Sequence, residues 1–598
     1  MKRRHTLPFG AELVSDGVRF RLWAPDASAV TLEFDGAAAL PMLHADEGWF
    51  ELTTEEAQAG SLYRYRIGDG HYPDPGSRFQ PDGVFGPSEV IDPVAYDWAD
   101  AGWQGIPAER AVLYELHPGT FSAPGDFAGI AEHLDHLVEL GVTLVELLPV
   151  ADCPGRWNWG YDGVLPFAPA GRYGRPEAMK RLVDACHARG LGVVLDVVYN
   201  HFGPEGNFLH AYAKGFFTER YKTPWGAAIN VDGKRAGPVR QFFIENALCW
   251  LEEFHLDGLR FDAVHEIRDQ GPRHFLEELG ERVREELPGR PIHLILENDR
   301  NDPALLGHGR GGKGPFDAQW NDDFHHALRV AVAGAKGGYY EDYRDDPIAR
   351  LGKSLAEGFS YQGEASGHRG GKLRGGVSSD LPPTAFVNFI QNHDQVGNHA
   401  FGWRLPHFAE PEVLRAAAAL LLLNPATPML FMGEEWAATA PFPFFCDFGG
   451  DLAQAVRNGR LAEFASFPEF RDKAARARIP DPLAEATFLS AKLDWAEAGK
   501  AEHGRMLEHY CTLIALRQQH IAPLLASGGS PEGEFERFDK FGLAVTWRLG
   551  GQVLRLIANL SDQAVSDRVL NGGTIFYRSH ESGDALPPWF VAAALAAS

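Results

Sequence analysis

Cysteine is scarce in this sequence, and its cysteines stand far apart. There are five in 598 residues, namely Cys153, Cys186, Cys249, Cys446 and Cys511. No C-x-x-C pair occurs, so neither a zinc knuckle nor a redox motif is supported. A chain long enough to build its own core has no need of a disulfide framework. We therefore expect buried, reduced thiols in a cytoplasmic protein.

Long apolar runs and an excess of positive charge are also missing. The longest aliphatic stretch, Ala416 to Leu423, is far too short to cross a bilayer. The start, MKRRHTLPFGAELV, has no apolar stretch behind its positive charges and does not predict a secretory signal. The chain has 56 Lys and Arg against 81 Asp and Glu, a net charge of −25. We expect neither nucleic acid nor membrane as a partner, because both are anionic, and we expect a neutral or cationic substrate.

The composition is that of a soluble multidomain protein, with 45% hydrophobic and 23% charged residues. Residues 1–95 contain short alternating runs separated by Gly, Asp and Pro turn signals, which predicts an N-terminal β-sandwich. These runs are VRFRLWAP, VTLEF, GWFELTT and LYRYRIG. Strand patterns return near the end, in FERFDKF, LAVTWRL, VLRLIANLS and TIFYRS, and predict a C-terminal β-domain over residues 528–598.

Between these domains, apolar strand-like runs recur, and helical patterns lie between them. The runs are VLYELH, TLVELLPV, LGVVLDVVYN, LDGLRFDAV, IHLILEND, FDAQWND, AFVNFIQNHD and TPMLFMGEEW. Near-continuous apolar strands are typical of a parallel sheet that is buried on both faces. Eight such units predict a (β/α)8 TIM barrel over residues 96–527, with a helical insertion at about 323–384. A doubly wound sheet fits less well, because HPGTFSAPG is a poor glycine-rich phosphate turn.

Polar side chains cluster at the carboxyl ends of these predicted strands, where barrel enzymes place their active sites. They are Asp196, Asn200, His201, Arg260, Asp262, Glu297, His393 and Asp394. A single strand-end Asp is usually a helix cap, but four carboxylates gathered at one mouth would be costly without a function. Phosphoryl transfer would need metal ligands or a phosphate cradle, and neither is evident. A pair of carboxyl groups suits glycoside hydrolysis, whose transition state develops positive charge.

Aromatic residues in GRWNWGYDGVLPF also favour a sugar substrate. Trp157, Trp159 and Tyr161 fall in the loop after the second predicted strand, at the same mouth. Such clusters often belong to a core. Here the interleaved Gly, Asn and Asp indicate exposed rings that can stack on pyranose faces.

Four segments in order resemble the signature regions of the alpha-amylase-type glycoside hydrolases: DVVYNH, GLRFDAVH, END and FIQNHDQVGN. The resemblance extends over residues 1–598, with an N-terminal sandwich like the carbohydrate-binding domains of branching and debranching members. It implies that Asp262 is the nucleophile, Glu297 the general acid/base and Asp394 the transition-state stabiliser, with retention of configuration. It implies no cofactor and no metal.

The resemblance also implies a set of substrate-binding residues around these three carboxylates. Tyr161 would stack on the sugar under attack, and Arg260 would keep Asp262 ionised. The other expected binding residues are Asp196, Asn200, His201, His393, Gln395 and Asn398.

Within the family, several loops resemble those of members that cut the α-1,4 bond beside a terminal trehalose. They include YELHPGTF, NHFGPEGNF and WNDDFHHALRVAVAG. The implied substrate is maltooligosyltrehalose, and the implied products are trehalose and a malto-oligosaccharide. The enzyme would act after a maltooligosyltrehalose synthase, with no stable complex implied. Trehalose would lie on the acid's side, within reach of the following residues: His265, Glu266, Asp322, Asp323, His325 and His326.

Three alternatives stay open at this stage. The segment NDDFHH could merely begin a helix, with Asp322 or Asp323 as its N-cap. A glycogen branching enzyme would share the barrel, the three carboxylates and the sandwich, but it would make new α-1,6 branches. A carbohydrate-binding or scaffold protein with a decayed barrel is disfavoured because all three carboxylates are intact.

Overall fold

The computed structural model describes residues 4–36, 38–308, 314–465, 472–528, 532–566, 573–581 and 585–597. The first three residues, which carry part of the N-terminal positive charge, lie outside these ranges. Among the described residues, no helix is long and apolar enough to span a membrane. All five cysteines are free, and four of them are buried. Cys511 is only half-buried, so the expectation of burial is wrong for that thiol.

The N-terminal region folds into two antiparallel sheets that pack face to face. The first sheet has the strand order Gly10–Val14, Gly17–Trp23, Trp49–Thr54 and Leu43–His44. The second sheet has the order Leu40–Pro41, Thr31–Phe34, Leu62–Ile67 and Gly70–Tyr72. Ser88–Glu89 pairs with Leu62–Ile67. Alternate side chains of each sheet point inward, so that Phe20 meets Tyr63 with ring centroids 4.8 Å apart.

Eight parallel strands form the closed barrel that the sequence predicts. Barrel strands 1 to 8 are Leu113–Leu116, Leu144–Leu147, Gly192–Val197, Gly258–Phe261, His293–Leu296, Ala318–Trp320, Phe386–Phe389 and Thr427–Phe431. All eight are fully buried, because the interior packs one face and the surrounding helices cover the other. The carboxyl ends of the strands therefore form a single rim.

The described helices surround this barrel or form its connecting loops. They are α1 (Pro118–Phe121), α2 (Phe127–Ala131), α3 (Leu134–Leu140), α4 (Pro176–His187), α5 (Leu209–Tyr212), α6 (Ala236–Glu253), α7 (Phe275–Glu286), α8 (Asp322–Ala333), α9 (Pro347–Glu357), α10 (His393–Gly397), α11 (Pro411–Leu422), α12 (Gly450–Phe464), α13 (Lys473–Arg476), α14 (Glu485–Ser490), α15 (Ala501–His520) and α16 (Ala522–Ala526). Proline at the first helical position begins α4, α9 and α11. The predicted helix FAGIAEHLDHLVELG is broken into α2 and α3, where His133 stacks on Trp495.

The insertion after barrel strand 6 is only partly helical. It contains α8 and α9 and then a short hairpin, Glu364–Ala365 with Leu373–Arg374. The C-terminal region is a five-stranded antiparallel sheet in the order Glu532–Phe538, Gly542–Leu549, Gln552–Asn559, Val591–Ala597 and Thr574–Arg578. It packs on α9, where the Trp547 indole donates a hydrogen bond to the Leu355 carbonyl at 3.0 Å.

Three further two-stranded sheets lie in the loops of the described residues. They are Ala151–Asp152 with Leu165–Pro169, Phe217–Thr223 with Gly226–Ile229, and Val565–Ser566 with Ala585–Leu586. The first two pairs follow barrel strands 2 and 3 and contribute to the wall of the rim.

Candidate active site

A cleft of about 490 Å³ opens at the carboxyl-end rim of the barrel. Asp262, Glu297 and Asp394 all line it, although they follow three different barrel strands. The other lining residues singled out in the sequence are Trp159, Tyr161, His201, Arg260, His265, Asp322, His393, Gln395 and Asn398. Most of the expected site residues thus surround one open cleft.

Arg260 is the centre of the charge network below this cleft. Its buried guanidinium donates from Nη1 to Asp196 at 2.6 Å and to Asp262 at 3.0 Å, and from Nη2 to Glu297 at 3.0 Å. The indole of Trp320 covers one face of the guanidinium, 3.9 Å from its centre. Because one rigid group contacts all three carboxylates, it sets their spacing as well as balancing their charge.

Both carboxylate oxygens of Asp262 are held from below. Oδ1 accepts from Arg260, and Oδ2 accepts from the amide of Asn200 at 2.7 Å. The same amide also donates to the Asp262 carbonyl at 2.8 Å. Asn200 was expected to bind substrate. In the structure its amide orients Asp262, and its role in substrate binding stays a prediction.

Glu297 is arranged so that one oxygen faces protein and the other is left available. Oε2 accepts from Arg260 and from the backbone N–H of Ala263 at 2.7 Å. Ala263 has a φ of 40°, an unusual backbone conformation for a residue with a side chain. Among the described residues, Oε1 has no hydrogen-bond partner. Burial raises the pKa of Glu297 well above its ordinary value, Arg260 opposes this, and the neighbouring charge of Asp262 adds to it.

Asp394 stands at the start of the one-turn helix α10 and reaches into the cleft. The side chain of Asn392 caps this helix by accepting from the backbone N–H groups of Asp394 and Gln395. The amide of Asn398 donates to Asp394 Oδ1 at 2.6 Å. The amide of Gln395 lies 3.4 Å from Asp322 Oδ1. Asn398 and Gln395 thus have protein partners at the cleft wall.

His393 is oriented by a buried carboxylate that the sequence analysis missed. Glu115, on barrel strand 1, accepts from His393 Nδ1 at 2.6 Å and from its backbone N–H at 3.0 Å. Burial alone would lower the pKa of His393, but Glu115 raises it above the ordinary value. The hydrogen bond fixes Nδ1 as a donor and turns the opposite edge of the ring towards the cleft. The sequence feature that could have identified Glu115 is the presence of a charged residue inside the apolar run VLYELH.

The three aromatic residues in the loop after barrel strand 2 lie in different surroundings. The Tyr161 hydroxyl donates to Asp196 at 2.6 Å, and its ring stacks on His393 at the cleft. Asp196 thus supports Tyr161 and Arg260 from a buried position. Trp159 lies at the cleft wall, but Trp157 is buried against Phe488. The expectation of an exposed ring is wrong for both tryptophans, since Trp159 is also buried although it lines the cleft.

Trp225 is an aromatic cleft residue that the sequence analysis did not identify. It lies in the turn of the hairpin formed by Phe217–Thr223 and Gly226–Ile229, and it is 47% exposed. Its ring stacks on His201 with centroids 4.2 Å apart. The nitrogens of His201 contact the Asn200 side chain and the Tyr161 carbonyl. His201 therefore lines the cleft with its ring edges held by protein.

The segment NDDFHH divides between the cleft and the protein interior. Helix α8 begins at Asp322 with Asn321 as its N-cap, so neither aspartate has the expected capping role. Asp322 lines the cleft, and burial raises its pKa to about 7. Asp323 is turned away by one helical step and is completely buried. His325 bonds to the Ile390 carbonyl and the Tyr340 hydroxyl.

Asp323 and His325 were expected to contact substrate, but the structure places both against protein partners and not in the lining of the cleft. His326 is also buried, and it packs among the rings of Tyr339, Tyr340 and Tyr343. These side chains face inward because the apolar stripe of α8 must pack against its neighbours. The segment has four charged or imidazole side chains, and among them only Asp322 lines the cleft.

We expect Asp323→Ala to destabilise the protein without changing which substrate it prefers. The Asp323 carboxylate pairs with Arg374 at 3.0 Å and accepts from Asn301 and from the backbone N–H groups of Ser360 and Tyr361. Removal leaves a buried cation and several donors unpaired, at a cost of about 3–5 kcal/mol in the free energy of unfolding.

Chemical denaturation measures this change directly. The matched control is Glu341→Ala, which removes an exposed carboxylate paired with Arg344 and should cost less than about 1 kcal/mol. Equal stability of the two variants, or a selective loss of one substrate in Asp323→Ala, would contradict the structural role.

His265 and Glu266 follow Asp262 in a short helical turn but face different surroundings. His265 lines the cleft, with Nε2 3.6 Å from Asp299 Oδ1. The Glu266 carboxylate pairs with the Arg268 guanidinium at 3.0 Å. His265 is therefore the better placed of the two to contact a ligand in the cleft.

Comparisons with known proteins agree with this architecture. Residues 96–234 match the alpha amylase catalytic domain, residues 8–95 match carbohydrate-binding module 48, the isoamylase N-terminal domain, and residues 532–592 match a domain of unknown function. A crystal structure from Salmonella typhimurium, provisionally described as an alpha amylase, superposes with a TM-score of 0.94 at 44% identity. It covers 99% of this chain and 100% of that one.

Curated relatives separate the two enzymatic alternatives. A malto-oligosyltrehalose trehalohydrolase of Arthrobacter ramosus is 45% identical over 84% of this chain and 87% of its own length. A 1,4-alpha-glucan branching enzyme of Pseudoalteromonas atlantica is 34% identical over only 43% of this chain and 39% of its own length. The chain belongs to the malto-oligosyltrehalose trehalohydrolases, within the alpha-amylase family of glycoside hydrolases.

Proposed function

We propose that the chain hydrolyses the α-1,4 bond beside the terminal trehalose of maltooligosyltrehalose and releases trehalose and a malto-oligosaccharide. The observation that carries the catalytic assignment is the Arg260 guanidinium, which lies 3.0 Å from both Asp262 and Glu297. The retaining mechanism that we propose uses a pair of carboxyl groups about 5–5.5 Å apart, and a single guanidinium binds both members of this pair.

In the first step, an Asp262 oxygen attacks the anomeric carbon and forms a glycosyl ester. The bond from that carbon to the bridging oxygen breaks, and the proton on Glu297 passes to this oxygen, which leaves as a hydroxyl of trehalose. In the second step, Glu297 takes a proton from water. The hydroxide attacks the anomeric carbon, and Asp262 leaves as a carboxylate.

The residues around the cleft support complementary roles in this reaction. Asp394 stabilises the positive charge of the transition state, while Tyr161 and His393 contact the sugar under attack. Trehalose is the leaving group and must lie on the Glu297 side. His265 and Asp322 line the cleft, and we propose that they contact trehalose there. Glu266 is a further candidate for hydrogen bonding to trehalose.

The reaction also implies a metabolic setting. A preceding enzyme must convert the reducing end of a malto-oligosaccharide into the trehalose unit, which is the activity of a maltooligosyltrehalose synthase. We infer that the chain uses its soluble product without a stable complex. We also infer a cytoplasmic location, which the five free thiols support.

The proposed function is tested by identifying the products of the purified enzyme. With a maltooligosyltrehalose, chromatography should show equimolar trehalose and shortened malto-oligosaccharide, and proton NMR at early times should show the α-anomer of the new reducing end. A linear malto-oligosaccharide of equal length is the matched substrate and should be cleaved much more slowly. New α-1,6 linkages, the β-anomer first, or equal rates on the two substrates would each contradict the proposal.

A further inference from the structure

An arginine from outside the barrel strands approaches the catalytic carboxylates. Arg460 lies on α12, in the segment after barrel strand 8, and its side chain lines the cleft while only 9% exposed. Its guanidinium donates to the Gly397 carbonyl, to the His399 carbonyl at 3.5 Å and to Asn398 Oδ1 at 3.3 Å. Arg460 thus contacts three consecutive residues at the C-terminal end of α10.

The middle residue of these three connects Arg460 to Asp394. Asn398 accepts from Arg460 through Oδ1 and donates to Asp394 through its amide nitrogen at 2.6 Å. The contact with Arg460 therefore determines which way the Asn398 amide faces. With the amide reversed, an oxygen would face the Asp394 carboxylate and repel it.

Helix α10 needs such support because it has only five residues. A single helical turn is unstable in isolation and depends on tertiary contacts. Asn392 caps its N-terminal end, and Arg460 places positive charge against the carbonyls at its C-terminal end. At Gly397 the Trp159 ring lies so close that an added Cβ would sit 1.9 Å from it, so the helix is also held sideways.

We propose that Arg460 is a positioning residue that holds Asp394 in its catalytic orientation through Asn398. The proposal rests on the proposed role of Asp394 in the transition state. A displacement of about 1 Å in a catalytic group can cost roughly 100-fold in rate. Loss of Arg460 should consequently affect turnover more than substrate binding.

The first test compares two arginines on α12. Arg460→Met keeps most of the apolar side chain and removes the guanidinium. We expect kcat to fall by about 10- to 100-fold, with KM changed less than about threefold and the unfolding temperature close to that of the wild type. Arg460→Lys keeps a cation at the end of α10 and should restore part of kcat. The control is Arg457→Met, which removes a partly exposed pair with Asp481 at 2.9 Å and should leave kcat unchanged.

A double-mutant cycle then tests whether Arg460 acts through Asn398. If it does, Arg460→Met combined with Asn398→Ala should lose no more kcat than the more damaging single variant. Losses that multiply, an effect on KM alone, or wild-type kcat in Arg460→Met would overturn the proposal. All variants are assayed on both maltooligosyltrehalose and α-glucosyl fluoride. The fluoride reports on Asp394 even if the wild type released no trehalose, so failure of the positioning role and failure of the proposed function can be told apart.

Discussion

Asp262→Asn should reduce kcat on maltooligosyltrehalose to less than about a hundredth of the wild-type value, because an amide cannot form the glycosyl ester. Arg260 and Asn200 hold the two Asp262 oxygens at 3.0 and 2.7 Å, so the carboxylate is already aimed. The near-isosteric amide should leave the cleft shape unchanged. Binding of maltooligosyltrehalose, measured by calorimetry, should therefore persist.

Mass spectrometry can observe the ester itself. In Glu297→Gln, a fluoride glycoside should still glycosylate Asp262, but hydrolysis of the ester lacks its base, so a glycosylated protein should accumulate. The same adduct should be absent when Asp262→Asn is added. Wild-type-like turnover by Asp262→Asn, or an adduct on a different residue, would show that Asp262 is not the nucleophile.

Glu297→Gln should show an effect that depends strongly on the leaving group. On maltooligosyltrehalose, kcat should fall by more than about 100-fold, because the departing trehalose oxygen receives no proton. On α-glucosyl fluoride, the rapid first release of about one fluoride per active site should be nearly unchanged, because fluoride needs no proton. Equal losses in both assays would assign the acid role to another residue.

The pH dependence provides a second measurement on Glu297. Burial raises its pKa, with Arg260 opposing the shift and the charge of Asp262 adding to it. The acid is active while protonated, so activity should be lost as the pH rises through this elevated pKa rather than near the ordinary glutamate value. For the wild type on maltooligosyltrehalose, the kcat/KM profile should have a basic limb, that is, a fall at high pH as Glu297 loses its proton. The fluoride burst of Glu297→Gln should show no such limb, because glutamine does not titrate. An unchanged limb would mean that a different group titrates there.

Local sequence was sufficient to predict the barrel and the positions of its strand-end groups. Each strand-like run is continuous, and parallel strands bring all of their carboxyl ends to one rim. Asp262, Glu297 and Asp394 could therefore be placed together although they lie after three separate strands. Their catalytic roles remain predictions that the two variants above test.

Contacts between distant segments were not predictable from the same patterns. Glu115 and His393 are 278 residues apart, and Arg460 and Asn398 are 62 residues apart. Glu115 lies in an apolar strand and Arg460 on a helix with a surface-like sequence. Neither local pattern indicates which distant residue the side chain will contact. Which groups meet depends on how the loops return to the rim, and long-range packing decides that.

Asp322 and Asp323 show that local sequence also fails to distinguish between two adjacent residues. The sequence determined that two carboxylates begin a helix after barrel strand 6, but not which of them faces the cleft. Successive helical side chains point about 100° apart, so the rotation of α8 about its axis places Asp322 in the cleft and Asp323 beside Arg374. That rotation is set by the apolar face that α8 buries. Tertiary packing, rather than local pattern, therefore separated a cleft residue from a structural one.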